Sequence, residues 1–139
     1  MSKKYSLENG KQITRKDLIA ILGWCKKNIG RSKYFSIRSL QIRFQSNLNY
    51  FVGVFDIEKN CIFINPNKIK NHLDLVVTII HEYIHFQQDF SKYEEIEIKL
   101  PRHRNYYDHP YEAEAERIAQ ERKKDCYNDL KKELKWVKR

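Results

Sequence analysis

Leu18, Ile19, Ile21, Leu22, Cys25 and Ile29 recur at helical spacing, which predicts a first helix over residues 15–29. Thr14 followed by Asp17 reads as a capping box at its start, and Gly30 as its stop. Phe35, Ile37, Leu40, Ile42 and Phe44 then alternate in part with Arg38, Gln41 and Arg43, the pattern of a strand within residues 35–44. Two apolar runs, 50–55 and 61–64, are joined by Asp56, Glu58, Lys59 and Asn60 and closed by Asn65-Pro66, which predicts an antiparallel hairpin.

Asn71 and Asp74 cap a third apolar pattern, Leu75, Val76, Ile79, Ile80, Tyr83, Ile84 and Phe86, expected to end near Phe90 or Ser91. Residues 92–109 are charged and aromatic without a clear period, so they read as a loop with a short strand at 95–100. Pro110 suits the first turn of a last helix reaching about Trp136, because its fixed φ is already helical and no amide partner is missed there. These elements predict an α+β fold: an N-terminal helix, a small mostly antiparallel sheet, a central helix and a C-terminal helix.

With 139 residues, the chain has room for one domain spanning 1–139, and only residues 1–10 and 136–139 read as candidates for disorder. Hydrophobic residues at 41% are a globular composition, and few Gly or Pro leave little room for long flexible linkers. The formal charge of +9 favours acidic partners, nucleic acid among them, yet Lys and Arg are scattered from Lys3 to Arg139 with acids between them. Cys25, Cys61 and Cys126 are odd in number and far apart, which suggests neither a disulfide framework nor a thiolate metal site and fits a reducing compartment. The polar start and the lack of a long apolar run predict a cytoplasmic protein with no membrane partner.

The chemistry concentrates in His81-Glu82-Tyr83-Ile84-His85. Residues four apart stack on one helix face, so His81 and His85 can direct two imidazoles at one Zn2+ ion. Glu82 is turned about a quarter turn away, where it can act as a general base without taking a ligand position. Burial implied by Ile79, Ile80, Ile84 and Phe86 argues against an incidental grouping, since buried imidazoles and carboxylates are costly unless paired or metal-bound.

Thr78-Ile79-Ile80-His81-Glu82-Tyr83-Ile84-His85-Phe86 resembles the extended signature of the zincin metallopeptidases, with Gln87 departing from the apolar residue usual there. The resemblance implies a zinc-dependent hydrolase of protein or peptide substrates. Gln88 and Ser91 exclude the metzincin arrangement, which needs Gly and His at those places. Glu112-Ala113-Glu114-Ala115-Glu116 resembles the helix that supplies the third zinc ligand in gluzincin-like peptidases, which implies Glu112 as ligand. Glu116, one turn on, could then orient a ligating histidine, while Glu114 points away.

His103 and His109 are rivals for the third position, because SprT-like proteins are similar in size and use a downstream histidine; His109 could instead cap the helix. Gluzincin-like enzymes often add an oxyanion-stabilising Tyr or His, which leaves Tyr106, Tyr107, Tyr111, His103 and His109 open. In zincins an extended substrate adds to the sheet edge beside the metal helix, so the 50–64 hairpin is the expected platform, with Gly53 a bulge or a close backbone approach. Within the class the chain looks like compact ImmA/IrrE-like or SprT-like proteins. The rival readings are a binding or structural module on the same scaffold, and a nucleic-acid-binding protein whose charge is its function.

Overall fold

The computed structural model describes residues 4–137. Its elements run β1 (Lys4–Ser6), β2 (Gln12–Thr14), α1 (Arg15–Asn28), β3 (Gln41–Phe44), β4 (Gly53–Asp56), β5 (Cys61–Ile64), α2 (His72–Gln87), α3 (Phe90–Lys99) and α4 (Pro110–Leu130), with 3-10 turns at Pro66–Lys68 and Tyr106–Asp108. This is an α+β fold, as the pattern predicted.

β4 and β5 form the expected antiparallel hairpin, pairing Gly53 with Ile64 and Asp56 with Cys61. β3 joins the other side of β5 in parallel, so β5 is central and β4 lies at an edge. The strand expected within 35–44 is confined to its last four residues. Phe35 and Ile37 instead pack on the core from turns, where the Ser32 hydroxyl accepts the Tyr34 and Phe35 amides at 3.1 and 3.2 Å.

Helix α2 is the axis of the molecule. Leu75, Val76, Ile79, Ile80, Tyr83 and Phe86 are fully buried among α1, α4 and the inner sheet residues Ile42, Ile62 and Ile64. Each such aliphatic side chain contributes about 1.5–3 kcal/mol on leaving water. Ala115 and Ala119 of α4 are also fully buried, and their small side chains let α4 pack closely on α2.

Three expectations need correction. The helix expected to reach Phe90 or Ser91 stops at Gln87, because Gln88 is extended and the Asp89 carboxylate caps a new helix by accepting the Ser91 and Lys92 amides. Residues 95–99 are therefore helical in α3 and not a strand, and the apparent alternation splits between a half-buried Ile96 and an Ile98 that is 81% exposed. The last helix ends at Leu130, not Trp136. Lys135, at a left-handed φ of 59°, turns the chain so that the Trp136 amide reaches back to the Lys131 carbonyl at 2.9 Å.

Near both ends the described residues make defined contacts. Lys4–Ser6 pairs with Gln12–Thr14, burying Ile13. The Trp136 ring is buried, donates to Asp17 Oδ1 at 3.0 Å and stacks on His72. Asp17 also closes the predicted capping box, its Oδ2 accepting the Thr14 amide at 2.8 Å, and so ties the start of α1 to the C-terminal turn. Disorder expected at residues 1–3 and 138–139 lies outside the described residues. Among the described residues no helix is long and apolar enough to cross a membrane.

Candidate metal centre

His81 and His85, one turn apart on α2, present their Nε2 atoms 3.2 Å from each other on the face that α4 covers. Pro110 starts α4 and puts Glu112 in its first turn, so that Glu112 Oε1 stands 3.1 Å from His81 Nε2 and 2.8 Å from His85 Nε2. The three side chains are the one His/Cys/Asp/Glu group among the described residues placed to hold an ion. Zinc ligands at about 2.0–2.2 Å from a tetrahedral ion stand roughly 3.4 Å apart, so a small outward shift of the three atoms accommodates it.

The rings are oriented from behind. His81 Nδ1 faces Glu116 Oε1 at 3.3 Å, and His85 Nδ1 faces Gln88 Oε1 at 2.7 Å. The Gln88 amide is fixed in that sense because its Nε2 donates to the Tyr111 carbonyl at 2.9 Å and to Glu114 Oε1 at 3.1 Å. Both Nδ1 atoms therefore carry the proton, and a neutral ring must aim its Nε2 lone pair at the common point. Two lone pairs and a carboxylate oxygen meeting in a buried place can be satisfied by a shared proton or could hold a metal ion. The donor set of two imidazoles and one carboxylate suits zinc.

Protons serve that purpose when no ion does. Desolvation opposes charging His81 and His85, but hydrogen bonds to Glu112 and the nearby carboxylates outweigh it and raise both imidazoles above their usual range. Desolvation likewise pushes the Glu112 carboxyl up, while hydrogen bonds from His81 and His85 overcome this and hold it well below its ordinary value. Raised imidazoles stabilise the metal-free fold fully below their unfolded pKa of 6.5 and lose that effect as pH rises through their folded values. The depressed Glu112 contributes fully above 4.5 and loses its effect as pH falls through its folded value. Melting of chelator-treated protein is thus expected to show this contribution at its greatest between pH 4.5 and 6.5. Added zinc should move the optimum upward, since it competes with those protons.

Glu82 lies on the adjoining face, buried and turned towards β4. Burial raises its carboxyl, while His85, His81 and the Phe55 backbone N–H act in the opposite sense without cancelling the rise. β4 passes so close that a Cβ on Gly53 would stand 2.9 Å from Thr78 Cγ2 and 3.2 Å from Glu82 Cγ, which gives the expected close backbone approach.

Two cavities flank Glu82. One, of about 340 Å³, is walled by Phe51, Val54, Ile57, Phe90 and Tyr93. The other, of about 370 Å³, is bordered by Tyr50, Asp74, Thr78, Tyr107 and Glu116. Tyr106 lines both together with Glu82, and Tyr107 lines the second; these are the oxyanion candidates that reach the cleft. Tyr111 lines neither.

His103 is exposed and stands outside the group. His109 caps α4, its Nδ1 accepting the Tyr111 amide at 3.1 Å while its Nε2 faces the Tyr93 carbonyl at 2.9 Å. Glu116 does orient a histidine; Glu114 stays at the surface but braces Gln88. Comparison with protein-family models, curated proteins and solved structures found no match.

Two residues with no role assigned from the sequence complete the surroundings. Gln88 entered that reading only as the residue that excludes the metzincin arrangement. The Tyr93 hydroxyl donates to Glu112 Oε2 at 2.5 Å, across a helix boundary that the apolar pattern did not show.

Proposed function

We propose that this chain is a zinc-dependent peptidase of zincin type acting inside a cell, with His81, His85 and Glu112 holding the metal and Glu82 as general base. The observation that carries this reading is the convergence of His81 Nε2, His85 Nε2 and Glu112 Oε1 beside a buried carboxyl that belongs to none of the three contacts. A purely structural site has no use for that fourth group. Glu112 beside the histidines, with His103 elsewhere, favours the gluzincin-like arrangement over the SprT-like one. Three free, buried cysteines agree with a reducing environment.

When bound, zinc supplies Lewis acidity that polarises the scissile carbonyl and acidifies the attacking water. Glu82 accepts the proton of that water and returns it to the leaving amine, a task suited by a carboxyl whose pKa is raised. An extended peptide adds to the open edge of β4, which carries its backbone past Glu82. Tyr106 and Tyr107, which line the cleft, are the candidates to donate to the developing oxyanion.

The two cavities are lined by Asp74, Glu82, Glu112 and Glu116 and by no Lys or Arg, within a chain of net charge +9. A phosphate backbone would be repelled there, so this charge favours a polypeptide over nucleic acid as the molecule in the cleft. The test is zinc content of the purified protein together with cleavage of a peptide library followed by mass spectrometry. Chelation should abolish cleavage and zinc restore it; a protein that takes up no zinc, or cleaves equally after chelation, would reject the reading.

A further inference from the structure

We infer that Tyr93 is a positioning residue for the metal centre, holding Glu112 with one oxygen towards the histidines and thereby coupling helix α3 to metal occupancy. The inference rests on the metal-binding part of the proposed function and not on the peptidase activity.

Glu112 has two carboxylate oxygens. Oε1 faces both imidazoles, and Oε2 accepts the Tyr93 hydroxyl at 2.5 Å. A hydrogen bond to the outer oxygen disfavours rotation of the carboxylate and its use as a two-oxygen ligand, leaving room for a substrate oxygen. The phenol is itself held: its ring stacks on His109 at 3.9 Å between centroids and 23° between planes, and the Tyr93 carbonyl meets His109 Nε2 at 2.9 Å. His109 is rigid because it is buried and caps α4, the helix that carries Glu112. Tyr93, His109 and Glu112 thus form a closed loop of contacts.

Helix α3 has little else to fix it. None of its ten residues is buried, and its other charged ties to the following segment run from Glu97, to Arg104 and, at 4.0 Å, to His109 Nε2. Tyr93 links α3, which walls the apolar cavity with Phe90, directly to the metal ligands, through its hydroxyl on Glu112 and its ring against His85. Ordering of Glu112 by an ion should order α3 through this phenol.

The experiment compares wild type with Tyr93→Phe, which keeps the ring stacked on His109 and removes only the hydroxyl. Zinc affinity is measured by competition with a chelating dye, exchange of the α3 amides by hydrogen–deuterium mass spectrometry with and without zinc, and folding by melting of the metal-free proteins. The metal-free melting temperature should fall only modestly, through the loss of one hydrogen bond to a carboxylate, zinc affinity should fall about 10–100-fold, and the zinc-induced protection of α3 should shrink. Equal zinc affinity and equal α3 protection in the two proteins would overturn the inference while leaving the metal centre standing. Failure of wild type to bind zinc would remove the metal centre and this inference with it. Unchanged zinc affinity with a markedly lower metal-free melting temperature would assign Tyr93 a structural role only and also overturn it.

Discussion

Glu82→Gln is expected to lower peptide hydrolysis by about 10²–10⁴-fold, the range for loss of a positioned general base, while zinc content stays at the wild-type level. Gln is nearly isosteric with Glu, so Gly53 and Thr78, the close neighbours on this side, accommodate it without repacking. What changes is the capacity to take a proton from water and hand it on. Steady-state cleavage of a defined peptide, with zinc measured on the same samples, separates the two effects. Equal rates in the two proteins would dismiss Glu82 as the base, and a parallel loss of zinc would mean that the substitution had damaged the ligands instead.

Replacing Glu112 by Ala should weaken zinc binding by more than the ~10–100-fold typical of removing an outer partner, because it deletes a donor of the ion itself. It should also unsettle the metal-free fold where the histidines are charged, since two buried imidazolium groups then lose the carboxylate that faces both. His103→Ala, at an exposed position away from the cluster, serves as the control and should leave zinc affinity unchanged. If His103→Ala weakened zinc binding and Glu112→Ala did not, the ligand assignment would be reversed.

The parts of this arrangement that were legible in the sequence are those set by short-range periodicity. The spacing of His81 and His85 places two rings on one helical face whatever surrounds them, and Thr14–Asp17 and Pro110 mark helix starts through local backbone chemistry. Glu112 was accessible through its likeness to a known ligand helix, although the distance that brings it to the histidines is a tertiary fact.

The residues that escaped notice depend on long-range placement or on competing local signals. Gln88 matters because its amide is trapped between α2 and α4, and no pattern along the chain encodes that. Tyr93 was hidden in a segment where alternating Ile and Glu imitated a strand, whereas the Asp89 cap and the three-residue spacing of Phe90, Tyr93 and Ile96 define α3. Trp136 lies beyond its helix, and its burial comes from a left-handed residue at Lys135 that no turn preference for Lys would suggest.

Position 53 also sets a limit on redesign. The strand expected to receive the substrate and the helix carrying the proton acceptor are separated there by no more than the missing methyl group of a glycine. Any attempt to alter selectivity by placing a side chain at this point would shift the acceptor itself, so selectivity and turnover would change together. Phe51, Val54 and Ile57 are the better places to vary, because they shape the cavity wall without intruding on that gap.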